Sequence, residues 1–85
     1  MVCFHDDAWA DYRYWTRTDR SMPKRINALI KDIQRSPLDG VGKPEPLKHS
    51  LTGFWSRRID EEHRLVYTID GERILIAQCR HHYAA

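Results

Sequence analysis

Hydrophobic residues recur at helical spacing in the N-terminal part of the chain and at strand spacing towards its C-terminal end. A short apolar run at residues 2–5 predicts a first strand. The spacing of Ala8, Tyr12 and Trp15, at i, i+4 and i+7, predicts that a helix follows and packs an aromatic stripe inward. Asp6 is expected to be the N-cap of this helix.

A second helix is predicted over residues 22–35, where the helical period is cleanest. Its apolar positions, at i, i+3, i+4 and i+7, are Ile26, Leu29, Ile30 and Ile33. Ser21 is expected to cap this helix, and Ser36-Pro37 to end it, because the residue before a proline disfavours helical conformation. The lysines and arginines on its polar side are interpreted as a solvated face rather than an RNA contact.

The chain then changes character, because residues 38–53 are rich in glycine and proline and show no sustained period. This composition predicts a long ordered loop, and such loops in compact domains are usually functional. Strands are predicted after it over residues 54–59, 64–69 and 73–79. Asp70-Gly71 predicts a hairpin, and residues 74–77, which are apolar on both faces, are expected in the centre of the sheet.

These elements predict an α+β fold. We expect a single small domain over residues 1–85 in the order β-α-α-β-β-β, with two helices packed on one antiparallel-rich sheet. A chain of 85 residues has room for one small core. No apolar run approaches a membrane span or a secretory signal, and Cys3 and Cys79 lack CxxC spacing. A reduced, cytoplasmic protein without a membrane segment is therefore expected.

The net charge of the chain is small, so the positions of the cations along the sequence matter more than their number. A formal net charge of +2 excludes a histone-like polycation. Several cations nevertheless lie in the second half, namely Lys43, Lys48, Arg57, Arg58, Arg64 and Arg80. The histidines and cysteines show no metal-binding spacing, so neither a metal site nor another cofactor is expected.

The second half also carries the groups that cleave RNA without a metal. This reaction needs a base for the 2′-hydroxyl, an acid for the departing 5′-oxygen and positive charge for the transition state. Glu45 is the candidate base, because its two flanking prolines favour an extended, ordered loop, although a solvated carboxylate explains it equally well. Arg64 is the candidate charge, and His82 the candidate acid. Tyr83 can donate a hydrogen bond or stack on a base.

Strand alternation separates the arginines of this half. Arg64 shares a face with Val66 and is expected to point away from the helices. Arg57 and Arg58 are adjacent and must point to opposite faces, so one of the two can join a site with Arg64. Arg57 is interpreted as part of a surface ion pair with the acidic turn at residues 60–62.

Two motifs carry a resemblance to a known family. Residues 42–67 have the sequence GKPEPLKHSLTGFWSRRIDEEHRLVY, and residues 81–83 are His-His-Tyr. With the stretches at residues 10–15 and 24–32, these motifs closely resemble the YoeB (Txe/YoeB) toxins of bacterial toxin–antitoxin pairs, a branch of the RelE/ParE superfamily. The similarity spans nearly the whole chain.

The resemblance implies a RelE-like, microbial-RNase-like fold and an mRNA interferase. Such an endoribonuclease cuts translated mRNA in the ribosomal A site and is silenced by a YefM-like antitoxin; relatives also suggest a homodimer. The roles implied are general base for Glu45, transition-state stabilisation for Arg64, general acid for His82 and positioning for Tyr83. RNA binding is assigned to Lys48, His49 and Arg58. Ala84-Ala85 extend past a tyrosine that commonly ends the family's chains.

Two other functions stay open at this point. A toxin of the ParE kind has the same superfamily fold but inhibits DNA gyrase by binding it, without catalysis. A plain RNA-binding or ribosome-binding module would use the same polar residues only to hold phosphate. The combination of Glu45, Arg64 and His82 favours the nuclease.

Overall fold

The computed structural model describes residues 1–82 and shows two helices packed on one face of a five-stranded sheet. The strands are β1 (Val2–Phe4), β2 (Glu45–Pro46), β3 (Trp55–Arg58), β4 (Arg64–Asp70) and β5 (Arg73–Gln78). The helices are α1 (Asp6–Thr18) and α2 (Ser21–Arg35), and a short 3₁₀ helix spans His49–Leu51. Neither helix of this part of the chain is long and apolar enough to cross a membrane.

The sheet has the strand order β1-β5-β4-β3-β2. β1 runs parallel to β5, and all other neighbours are antiparallel. The α+β class and the antiparallel-rich sheet are thereby confirmed. Residues 74–77 lie inside the sheet on β5, but the middle position belongs to β4, because β2 adds one more strand on the far side.

β2 corrects the prediction of an unbroken loop over residues 38–53. Glu45 and Pro46 pair antiparallel with Ser56 and Trp55. A proline is tolerated here because β2 is an edge strand and needs no ladder donor on its outer side. A two-residue pairing is too short to leave a periodic signal in the sequence.

The core lies between the helices and the sheet, where the hydrophobic period placed it. α1 buries Ala8 and Trp15, and α2 buries its predicted apolar stripe, with Ile30 only partly covered. The sheet contributes Leu65, Tyr67 and Ile76, all fully buried. This packing, rather than intrinsic helix propensity, stabilises two helices of such short length.

Both helix caps differ from the prediction. α1 begins at Asp6, and the cap is His5, whose Nδ1 accepts a hydrogen bond from the N–H of Asp7 at 3.2 Å. Ser21 is the first residue of α2, and Asp19 accepts from its hydroxyl at 2.6 Å and from its N–H at 3.0 Å, which lowers the pKa of Asp19. Each helix begins one residue earlier than predicted, so the N-cap is the preceding residue, His5 for α1 and Arg20 for α2.

Arg57 is completely buried, so its interpretation as a surface ion pair with residues 60–62 is wrong. Its Nη1 lies 2.6 Å from Oδ2 of Asp32 on α2, and its Nε donates to the Tyr67 hydroxyl at 3.2 Å. The guanidinium also donates to three main-chain carbonyls of residues 36–41, at 2.7 to 3.2 Å. Strand alternation places Arg57 on the face of the sheet that the helices cover. There a carboxylate and main-chain carbonyls take the place of water around its guanidinium group.

Candidate active site

The polar residues of the second half surround one open cavity of about 110 Å³. It lies on the sheet face opposite the helices, where β2, the end of β3 and the start of β4 meet the residues that follow β5. Its lining residues are Lys43, Glu45, Ser56, Arg58, Arg64 and His82. A carboxylate, an imidazole and three cations therefore share one small concave surface.

Glu45 reaches this cavity because the backbone before it is fixed. Gly42 has φ +83°, and a Cβ there would lie 3.0 Å from Leu29 and 3.1 Å from the Arg58 carbonyl oxygen, so any other residue would be strained at this position. The carbonyl of Gly42 accepts a hydrogen bond from the N–H of Arg58 at 2.7 Å. Glu45 then pairs with Ser56, so both side chains lie on the cavity face.

Two arginines face each other across β3 and β4 in the cavity. Arg58 and Arg64 are direct cross-strand partners, and two like charges in this register repel unless an anion lies between them. Within residues 1–82, no carboxylate lies within 4.0 Å of the Arg64 guanidinium. Its Nη1 donates instead to three main-chain carbonyls of the β3–β4 turn, at 3.0 to 3.2 Å. Such a fixed, uncompensated guanidinium suits a phosphate oxygen.

The β3–β4 turn that holds Arg64 is itself organised by Asp60. The Asp60 carboxylate accepts hydrogen bonds from the N–H of His63 at 2.7 Å and of Glu62 at 2.9 Å. Burial raises the pKa of Asp60, but the hydrogen bonds from these two N–H groups, together with nearby positive charge, lower the pKa below its ordinary value. The carboxylate therefore stays charged, and the turn keeps presenting its carbonyls to Arg64.

His82 arrives at the cavity on a segment that packs against α1. The indole Nε1 of Trp15 donates to the carbonyl of Cys79 at 2.8 Å. The Arg80 guanidinium carbon lies 3.5 Å from the centre of the Tyr14 ring, in a cation–π contact. The segment after β5 is therefore docked on the helix layer at two consecutive residues.

Both cysteines are free thiols. Burial, with a smaller contribution from the Asp11 charge, raises the pKa of Cys79 to about 12. Its Sγ donates to the carbonyl of Ala8 at 3.4 Å, and its N–H donates to Asp11 at 3.0 Å. Because a nucleophilic cysteine must ionise, Cys79 is a packing residue that joins β5 to α1.

The cavity brings together four residues singled out from the sequence, namely Glu45, Arg58, Arg64 and His82. Lys48 and His49 are not among the lining residues; Lys48 is the N-cap of the 3₁₀ helix that follows β2, and His49 is its first residue. Tyr83 lies outside the described residues. The catalytic and RNA-binding roles themselves stay predictions.

Two lining residues are absent from the sequence-based site. Lys43 has φ +52°, a left-handed conformation that a non-glycine residue rarely adopts, and no residue pattern indicates it. Ser56 shares the Arg58 face by strand alternation, which is a usable signal. Its place beside Glu45 depends on β2, which the sequence does not reveal.

Comparison with known proteins identifies the family. The model of the YoeB-like toxin of bacterial type II toxin–antitoxin systems matches residues 4–83. The chain belongs to this toxin family. Toxin YoeB of Escherichia coli strain K12 is 60% identical over 82 residues, which cover 96% of this chain and 98% of the relative. The resemblance indicated by residues 42–67 is thus confirmed.

Solved structures of YoeB toxins match this one closely. A YoeB/ParE toxin from Agrobacterium tumefaciens gives a TM-score of 0.94 at 48% identity, over 96% of this chain and 98% of its own. A heterotetrameric YoeB–YefM complex from Staphylococcus aureus gives 0.91 at 51% identity, over 98% and 97%. A YoeB dimer from the same organism gives 0.90 at 52% identity, over 96% and 95%. These matches confirm the RelE-like fold.

Proposed function

We propose that this toxin is a ribosome-dependent endoribonuclease, an mRNA interferase that cleaves translated mRNA in the A site. The observation that carries the proposal is the facing pair Arg58 and Arg64 in a cavity that also contains Glu45 and His82. These side chains match the acid, the base and the positive charge that metal-independent cleavage of a phosphodiester requires. Membership of a type II toxin family supports the same activity.

Each group has one role in the proposed reaction. Glu45 removes the proton of a 2′-hydroxyl, whose oxygen then attacks the adjacent phosphorus. His82, in its protonated form, donates a proton to the 5′-oxygen as the P–O bond breaks, which leaves a cyclic phosphate and a free 5′-hydroxyl. Arg64, supported by Arg58, stabilises the charge that grows on the non-bridging oxygens. Tyr83 positions the substrate in this proposal.

The partners follow from the same proposal. In this proposal the substrate is mRNA on the ribosome. Lys48 and His49 contact RNA beyond the cavity. A cytoplasmic location follows from this substrate. We further propose a YefM-like antitoxin as the cognate inhibitor, together with formation of a homodimer. The Staphylococcus aureus relatives, solved as a YoeB–YefM heterotetramer and as a dimer, support both.

A single-turnover assay on ribosomes programmed with mRNA tests the proposal. Glu45→Gln keeps the size of the side chain and removes the base, so we expect the cleavage rate to fall by about two to four orders of magnitude. Glu72→Gln is the matched control, because Glu72 is an exposed carboxylate in the β4–β5 hairpin, at the other end of these strands. Its rate should equal that of the wild type.

Two results would count against the proposal. A Glu45→Gln rate within about three-fold of the wild type would remove Glu45 from the mechanism. A wild-type chain that arrests growth without cutting ribosome-bound mRNA would refute the nuclease function. Inhibition of DNA gyrase by that chain would then establish the ParE-like alternative.

A further inference from the structure

His63 links two parts of the proposed site without belonging to the residues that line the cavity. It directly precedes Arg64, and only 13% of its side chain is exposed. Its Nδ1 accepts a hydrogen bond from the N–H of His81 at 2.8 Å, immediately before His82 in the chain. The proposed reaction gives His63 no role of its own.

This contact acts on a strained part of the backbone. His81 has φ +66°, a left-handed conformation that is unfavourable for a residue with a Cβ. Its N–H donates to His63, and its carbonyl accepts from the N–H of Arg64 at 3.0 Å. Two neighbouring residues at the start of β4 thus hold both polar groups of His81, and they set the direction in which the chain continues to His82.

The imidazole of His63 is itself held in place. A ring nitrogen that accepts from a backbone N–H carries no proton, so the proton of this ring lies on Nε2. Nε2 is 3.6 Å from the carboxylate of Glu62, and the ring packs edge-on to Trp15 with centroids 4.8 Å apart. Trp15 also binds the carbonyl of Cys79. One packed pair of rings therefore braces the segment before His82 at two points.

We propose that His63 is a positioning residue of the active site, which places His82 at the cavity by holding the backbone of His81. This inference rests on the proposed function, in which His82 is the general acid. A displacement of a catalytic group by about 1 Å can lower a rate of order 10²-fold. Loss of the contact should therefore slow the cleavage step and leave ribosome binding unchanged.

Two substitutions of His63 separate this role from simple packing. His63→Asn and His63→Leu both remove the ring that contacts Trp15, but only asparagine keeps an acceptor on Cγ, where histidine has Nδ1. On saturating programmed ribosomes we expect His63→Leu to cleave roughly 10- to 100-fold more slowly, and His63→Asn to stay within about five-fold of the wild type. Equal rates for the two variants, whether both normal or both slow, would overturn the proposal.

His5→Leu is the matched control for these variants. The Nδ1 of His5 also accepts from a backbone N–H, but His5 follows β1, on the opposite edge of the sheet from β2. This substitution removes the same kind of hydrogen bond and should leave the cleavage rate at the wild-type value. A loss as large as that of His63→Leu would contradict a specific role for His63.

Amide hydrogen exchange followed by NMR tests the contact without any activity assay. We expect the His81 amide to be protected in the wild type and in His63→Asn, and to exchange rapidly in His63→Leu. Rapid exchange in the wild type would overturn the inference even if the protein cleaves mRNA. A protected amide in a wild-type chain that cleaves no mRNA would instead overturn the proposed function.

Discussion

Arg57 and Arg64 lie on neighbouring strands, and both are buried, but their partners differ. Arg57 has the Asp32 carboxylate at 2.6 Å and is fully enclosed between the sheet and α2. Arg64 opens to the cavity at 7% exposure and has only main-chain carbonyls as partners within residues 1–82. A buried guanidinium without a carboxylate partner among residues 1–82 is the arrangement that the proposed function requires, because burying a charge is costly unless an opposite charge offsets it. The charge of Arg57 thus stabilises the fold, whereas the charge of Arg64 faces the cavity and is the one proposed to act on a substrate.

Of the two arginines, Arg64 should have the larger effect on the cleavage rate when its charge is removed. We expect Arg64→Gln to lower the single-turnover cleavage rate by about 10²- to 10³-fold, because the transition state loses a prealigned cation. Arg73→Gln serves as the control, since Arg73 pairs only with Asp70 in the exposed hairpin among the described contacts. Equal rates for both variants would show that the cavity charge is not used.

Removing the Arg57 charge should act on stability instead. Arg57→Met removes one of the donors to Asp32 and leaves three main-chain carbonyls without their partner, so we expect Tm to fall by more than about 10 °C. The rate per folded molecule, measured well below Tm, should stay within about three-fold of the wild type. A variant with normal Tm and slow cleavage would reverse the assignments of the two arginines.

The Arg57 network also predicts how stability depends on pH. Hydrogen bonds from the Val41 N–H, then from Arg57 and Arg35, lower the pKa of Asp32 from 3.8 to about 2. The folded state thus binds this proton less readily, so the stabilisation is complete above about pH 4 and disappears as the pH falls towards 2. In urea unfolding across this window, Asp32→Asn should start less stable and show a shallower decline. An unchanged slope would contradict this prediction.

The smallest effects are expected at the edge of the site, and they test how far it extends. Arg58 lines the cavity, whereas Lys48 stands outside it among the described residues. Arg58→Gln should slow cleavage about ten-fold, and Lys48→Gln should mainly weaken ribosome binding and reduce its dependence on salt. If Lys48→Gln slowed the cleavage step more than Arg58→Gln did, the reacting phosphate would lie nearer the 3₁₀ helix.

The sequence predicts those parts of the fold that depend on local periodicity. Ile26 and Ile33 repeat at helical spacing because a helix buries one stripe, and the Asp70-Gly71 pair predicts the hairpin that joins β4 to β5. β2 escapes prediction because two residues carry no period. The sequence does not predict the partner of Arg57 either. Asp32 lies far from Arg57 along the chain and contacts it only after α2 packs on the sheet.

The residues of the candidate site also divide into those that the sequence predicts and those that only the folded structure reveals. Glu45, Arg64 and His82 could be selected from their chemistry and from the family resemblance, and strand alternation assigns Arg58 to the cavity face. Lys43 enters through a left-handed backbone angle that only the folded loop imposes. His63 carries no signal in the sequence, because its importance arises from a contact with the backbone of a residue on a different segment.

The pH dependence of the single-turnover rate on programmed ribosomes tests the proposed catalysis by Glu45 and His82 around a fixed Arg64 charge. We expect a bell-shaped profile for the wild type, and a lower profile of the same shape for Arg64→Gln, because an arginine does not titrate in this range. His82→Gln should lose the alkaline limb and keep its ribosome affinity. An alkaline limb that persists in His82→Gln, or an altered profile shape in Arg64→Gln, would contradict the account.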